Sequence, residues 1–86
     1  MHIAEPRTLD TIALGQIVRV TAVDWVGLAP AEALRLREFG LDAGSEIEAL
    51  HRGSLFSHDP LAIRIGTMRV VLRAAHARHF TVEPVI

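Results

Sequence analysis

The residues Leu34-Arg35-Leu36-Arg37-Glu38-Phe39-Gly40-Leu41-Asp42-Ala43-Gly44-Ser45-Glu46-Ile47 decide how this chain folds, because the spacing of apolar side chains changes within them. Ala33, Leu36 and Phe39 recur at three-residue intervals, so one stripe of a short helix is apolar while Arg35, Arg37 and Glu38 stay in water. Gly40 falls where a helix needs a residue of positive φ just past its end, and Leu41 is placed for the hydrophobic contact that accompanies such an ending. Gly44 offers a second turn position. From Glu46 onward, Glu-Ile-Glu-Ala alternates as a strand does. The stretch predicts a helix ending at Phe39 or Gly40, a corner, and a strand that starts near Glu46.

Working outward toward the N-terminus, Pro30 is well placed as the first residue of that helix, and Ile17 to Val23 is rich in β-branched residues. Val18, Val20 and Ala22 would share the inner face of this strand, with Arg19 and Thr21 on the other. Before it, Thr8 is a candidate N-cap for a single turn carrying Leu9, Ile12 and Leu14 and closed by Gly15. Residues 1–7, with Pro6 and no period, read as a flexible N-terminal arm, which leaves 8–86 as one domain.

Toward the C-terminus, the strand from Glu46 runs to His51 or Arg52, with Ala49-Leu50 blurring which face points inward, and Arg52-Gly53-Ser54 is turn-like. Asp59-Pro60 favours extended backbone and leads into the alternation of Leu61-Ala62-Ile63-Arg64-Ile65. Gly66-Thr67 makes a hairpin turn, Met68, Val70 and Leu72 continue the alternation, Arg73 to Arg78 forms a short helical connection, and Phe80 to Glu83 is a last strand. About five short strands with one short inserted α-helix predict a mostly β chain, a small SH3-like β-barrel. Its inward set would be Val18, Val20, Ala22, Leu36, Phe39, Ile47, Leu61, Ile63, Ile65, Val70, Leu72, Phe80 and Val82.

The chain has 86 residues, half of them hydrophobic, and no cysteine, so one small core must hold it together without disulfides. There is no room for a large buried active site. The formal net charge is −1, which argues against nucleic acid, whose binding draws mainly on phosphate neutralisation. No stretch approaches the roughly 18 apolar residues that span a bilayer, and no N-terminal segment has the make-up of a signal peptide. These features read as a soluble, intracellular chain.

Five histidines raise the question of a metal, chiefly His76 and His79 at i, i+3, with His58-Asp59 and His51 as other donors. A transition-metal site needs three or four converging ligands, and no spacing in the sequence supplies them; no metal, cofactor or catalytic residue is assigned. Ser54, Ser57, His58 and Asp59 are close in sequence but lack any nucleophile-elbow pattern. Trp25, the sole tryptophan, lies in a strand-to-helix loop beside Val26 and Leu28, the composition of a partner-docking anchor. The alternative is that it folds back over the barrel end. Phe56 poses the same question in its own loop. Arg35 and Arg37 could meet an acidic partner surface or form a solvated face balanced by Glu32 and Glu38.

Taken together, Leu9…Ile12…Leu14-Gly15 with Val18-Arg19-Val20, the central Arg35-Leu36-Arg37-Glu38-Phe39-Gly40-Leu41…Gly44-Ser45-Glu46-Ile47, and Asp59-Pro60-Leu61-Ala62-Ile63, Gly66, Val70-Val71-Leu72-Arg73, Ala77…Phe80…Val82 resemble the FeoA family. That resemblance covers nearly the whole chain. It implies an SH3-like domain that is not an enzyme and works in the cytoplasm as an accessory of bacterial ferrous iron uptake. It also implies a partner, the cytosolic part of the FeoB iron permease, which would bring the chain to the inner membrane. The barrel is similar as well to the C-terminal module of iron- and manganese-dependent repressors, which implies a metal-sensing module as the alternative.

Overall fold

The computed structural model describes residues 7–53 and 59–85. The strands are β1 (Arg7–Thr8), β2 (Ile17–Val23), β3 (Glu46–Arg52), β4 (Leu61–Ile65), β5 (Met68–Leu72) and β6 (Phe80–Pro84). Helix α1 (Pro30–Glu38) follows β2, helix α2 (Ala74–Ala77) precedes β6, and a 3-10 turn at Leu9–Thr11 follows β1. All neighbours in the sheet order β1-β6-β2-β3-β4-β5 are antiparallel. The sixth strand, absent from the sequence reading, is the two-residue β1. Arg7 belongs to the sheet rather than to an arm, because it pairs with Val82 while Thr8 pairs with Thr81. Thr8 does precede the 3-10 turn, but its side chain makes no capping bond.

The corner between α1 and β3 follows from two glycines and a serine. Gly40 has φ +93° and Gly44 also +93°. The Gly40 N–H donates to Arg37 C=O at 2.9 Å and the Leu41 N–H to Leu36 C=O at 3.0 Å, the paired bonds that close a helix through a left-handed residue. Leu36 and Leu41, the side chains that meet in such a closure, are both fully buried. The Ser45 hydroxyl accepts from the Asp42 N–H at 3.1 Å and donates to Gly40 C=O. The corner is then sewn to β2: Gly44 N–H donates to Val20 C=O at 2.7 Å, and Val20 N–H to Ser45 C=O at 2.9 Å.

The core comprises Val18, Val20, Leu36, Ile47, Leu61, Ile63, Val70, Leu72, Phe80 and Val82, as the alternation predicts, joined by Leu9, Ile12, Leu28, Leu41, Ala49 and Ala77. Phe39 and Ile65 of the expected inward set are only partly buried at its margin. Ala22 is a correction: it is exposed, because the β2–β6 register shifts between Val20 and Ala22, and Val23 packs against the core instead. A second register shift between Ala49 and His51 resolves the ambiguity of β3, with Ala49 buried and His51 exposed. No polar or charged side chain is buried among the described residues.

A Cβ at Gly40 would find room, its nearest neighbour being Ile65 Cγ2 at 3.7 Å. Gly40→Ala therefore tests the backbone conformation alone. It should cost about 1–2 kcal/mol of unfolding free energy in urea titrations, the penalty for a Cβ in the left-handed region. Unchanged stability would remove the corner from its role in the fold.

Candidate functional site

The loop between β2 and α1 is short and tightly held. The Asp24 N–H donates to His79 C=O at 2.9 Å, Asp24 Oδ1 accepts from the Gly27 N–H at 3.2 Å, and Asp24 Oδ2 faces His79 Nδ1 at 3.3 Å. The Leu28 N–H donates to Trp25 C=O at 3.2 Å. Gly27 is required here by space: a Cβ would lie 2.5 Å from the His79 ring and 2.6 Å from the Asp24 carboxylate.

This pinned turn presents Trp25 against the end of the sheet. Its ring meets Phe80 edge-on, with centroids 5.8 Å apart and planes at 85°, a favoured aromatic geometry. The Arg37 guanidinium, brought round by α1, sits 4.4 Å over the Trp25 ring. Trp25 is thus half-buried, folded back on the core with one face covered by a cation. Val26 beside it is 97% exposed.

A second cluster joins α1 to α2. Glu32 Oε1 accepts from Arg35 Nε at 3.1 Å and from its Nη2, and lies 3.4 Å from His76 Nδ1. The hydrogen bond from Arg35 holds the Glu32 carboxyl below its ordinary value, outweighing partial burial, with the charges of Arg35 and His76 acting in the same direction. The same bond raises the Arg35 guanidinium. Arg35 also lies over the Phe39 ring, 5.4 Å from its centroid. A cleft of about 400 Å³ opens here between the two helices and the end of β5.

The structure therefore gathers Trp25, Val26 and Arg37 on one surface and places Arg35 with Glu32 in the neighbouring cleft. Leu28 departs from the expected docking set: it is 6% exposed and part of the core, because the turn that shows Val26 to solvent tucks Leu28 under α1 and the sheet. Phe56, His58, Ser54 and Ser57 lie outside the described residues. His76 and His79 face different carboxylates, on α1 and on the β2–α1 loop, and His79 lies beyond the end of α2. Among the described residues no three His, Asp or Glu side chains are grouped to hold a metal ion. Asp59 Oδ1 accepts from the Ala74 N–H at 2.8 Å, so it fixes the start of α2. Sequence reasoning missed the ties of the histidines to Asp24 and Glu32, which no local spacing announces because the partners are 55 and 44 residues apart.

The model of the FeoA domain matches residues 7–84. The chain belongs to the FeoA family. Among solved structures it is similar to FeoA of Chlorobium tepidum, at 26% identity and TM-score 0.80, over 93% of this chain and 71% of that one. FeoA of Stenotrophomonas maltophilia, solved with zinc and described as a procaryotic SH3 domain protein, is 30% identical with TM-score 0.75, over 90% of this chain and 89% of that one. Iron(II) transport protein A of Clostridium thermocellum is 25% identical with TM-score 0.79; the match takes in 92% of this chain but only 46% of that longer one. A manganese-dependent transcriptional repressor, at 18% identity and TM-score 0.76, shares the fold alone. No curated protein sequence matches. The SH3-like architecture of the FeoA family is thus the architecture of this chain, and no helix among the described residues is long and apolar enough to cross a membrane.

Two outcomes check the site's geometry. Arg37→Ala uncovers the sole tryptophan, so its emission should move to longer wavelength, with a stability loss of about 0.5–1 kcal/mol. Because the folded-state value of Glu32 lies below the ordinary 4.5, its contribution is fully present above that pH and is lost as pH falls through the lowered value. Glu32→Gln should therefore be less stable than the parent at neutral pH by a few tenths of a kcal/mol, roughly what a solvent-screened pair contributes. That gap should close under acid, as read from urea curves at stepped pH; a gap that persists at the lowest pH would contradict the assignment.

Proposed function

We propose that this chain is a non-enzymatic accessory of ferrous iron uptake that docks on the cytosolic part of a FeoB-type permease through Trp25, Val26 and Arg37. The observation that carries this reading is Val26: a β-branched apolar side chain held almost wholly in water on a turn that Asp24, His79 and Gly27 make rigid. A loop of that kind loses little conformational freedom when a partner covers it, so the burial of Val26 and the open edge of Trp25 goes into affinity. Tryptophan and arginine are also the side chains that most often dominate binding energy at the centre of an interface. The Stenotrophomonas maltophilia relative is described as possibly acting as a bacterial ferrous iron transport activating factor, which agrees with a role exercised by contact. On this reading the chain works in the cytoplasm and reaches the inner membrane only through its partner.

Val26→Asp tests the docking surface without touching the core. The variant should keep its stability within about 0.5 kcal/mol, while its affinity for the purified cytosolic domain of the permease should fall roughly tenfold or more, the loss expected when an interface anchor is replaced by a charge. Failure of the parent chain to bind that domain, together with unchanged ferrous uptake after its deletion, would overturn the proposal.

A further inference from the structure

All ten acidic residues of the chain lie outside 60–82, a span that carries Arg64, Arg69, Arg73 and Arg78. The structure puts three of these on the β4–β5 side of the sheet, and β5 is an edge. Across the interior strands the outer face is charge-matched: Arg19 stands opposite Glu83 of β6 and Glu46 of β3, with contacts of 3.8 and 3.1 Å, and Glu48 of β3 stands opposite Arg64 of β4 at 2.6 Å. At the last step the pattern fails, because Arg64 is paired with Arg69. Like charges directly opposite are unfavourable, and among the described residues Arg69 has no acidic partner. Two residues on, Val71 is 55% exposed on the same face. Beyond it Arg73, 75% exposed, reaches Asp59 only at 3.9 Å.

We infer that the edge of β5, which among the described residues pairs with β4 alone, accepts an extended acidic segment of a partner protein as a seventh strand, with acidic side chains against Arg69 and Arg73 and an apolar one against Val71. An edge strand turns alternate N–H and C=O groups outward, and only another backbone satisfies them in register. A carboxylate beside Arg69 supplies the counter-charge that Arg64 lacks from β5, and so extends the alternation seen from β6 to β4. The second acidic side chain falls at the mouth of the cleft where Arg73, Arg35 and His76 stand, with Glu32 already engaged by Arg35. A second copy of the chain is a poor occupant: two β5 edges laid antiparallel about Val71 would set Arg69 of each against Arg73 of the other. The side chains of this surface, Arg69, Val71 and Arg73, are other than those of the Trp25 face.

The test uses the full chain, labelled with nitrogen-15, and a capped peptide Gly-Glu-Thr-Val-Thr-Glu-Gly. The peptide should shift and protect the amides of residues 68–73, and its binding should weaken as salt is raised. The Arg69→Glu, Arg73→Glu double variant, checked for an unchanged fold by its amide spectrum, should bind roughly tenfold more weakly, as expected for two reversed exposed pairs. A peptide with lysine in place of glutamate should not bind. The inference is overturned if the shifts fall outside β5, if the double variant or the lysine peptide binds as well as the parent pair, if the free chain is already a dimer through β5, or if the arginines are needed only for binding phosphatidylglycerol vesicles and the peptide does not bind.

Discussion

The left-handed backbone at Gly40 is the constraint on which the rest of this structure depends. It ends α1 with two hydrogen bonds and turns Leu41 onto Leu36, so the helix is fixed to the barrel by a fully buried pair of side chains at the turn itself. Four residues later Gly44 and Ser45 bond to both backbone groups of Val20. The helix is therefore placed relative to β2 before β3 begins. The orientation of Arg35 and Arg37 follows from that placement: one guanidinium lies over Trp25, the other on Glu32. A local backbone requirement thus reaches the surface through a nine-residue helix.

Both ends of the second short helix are held by carboxylates. Asp59 receives the amide of Ala74, Glu32 approaches His76, and Asp24 approaches His79. A four-residue helix has too few internal bonds to persist alone, so these outside groups supply what its length cannot. Two of the histidines that invite a metal hypothesis in the sequence thereby face carboxylates of neighbouring elements, His76 that of α1 at 3.4 Å and His79 that of the β2–α1 loop at 3.3 Å. The i, i+3 spacing turns the two rings to different elements, His76 toward Glu32 of α1 and His79 toward Asp24 of the β2–α1 loop.

Most of the fold was legible in the sequence, and the reason is physical. Strand β2 at Ile17–Val23, strand β4 at Leu61–Ile65 and the end of α1 are set by alternation, β-branching and glycine, all of which act over a few residues. Ala22 and β1 were not legible. A bulge depends on what the partner strand demands, so strict alternation carried Ala22 inward where the register shift turns it out. A two-residue strand has no period at all; only its pairing with β6 defines it. The candidate site divides in the same way. Trp25 and Val26 could be singled out because a large aromatic beside an apolar residue in a loop is unusual, but burial of Leu28, cover by Arg37 and support from Phe80 depend on contacts between distant elements.

The described core is wholly apolar, so the polar and charged side chains that could meet a partner stand on the surface. Outside, two kinds of feature stand apart from an ordinary solvated surface. One is an apolar residue on a turn that hydrogen bonds and a missing side chain at Gly27 keep from yielding. The other is a sheet whose outer charges match from β6 to β4 and fail at β5. The first favours a partner that brings apolar surface, and the second a partner that brings backbone and negative charge. A small domain that offers both can be held at two places at once, and two weak contacts on one rigid body bind more tightly than either alone because the second is made at high effective concentration. That gives a domain of this size a physical route to a stable complex without an interface large enough to consume its surface.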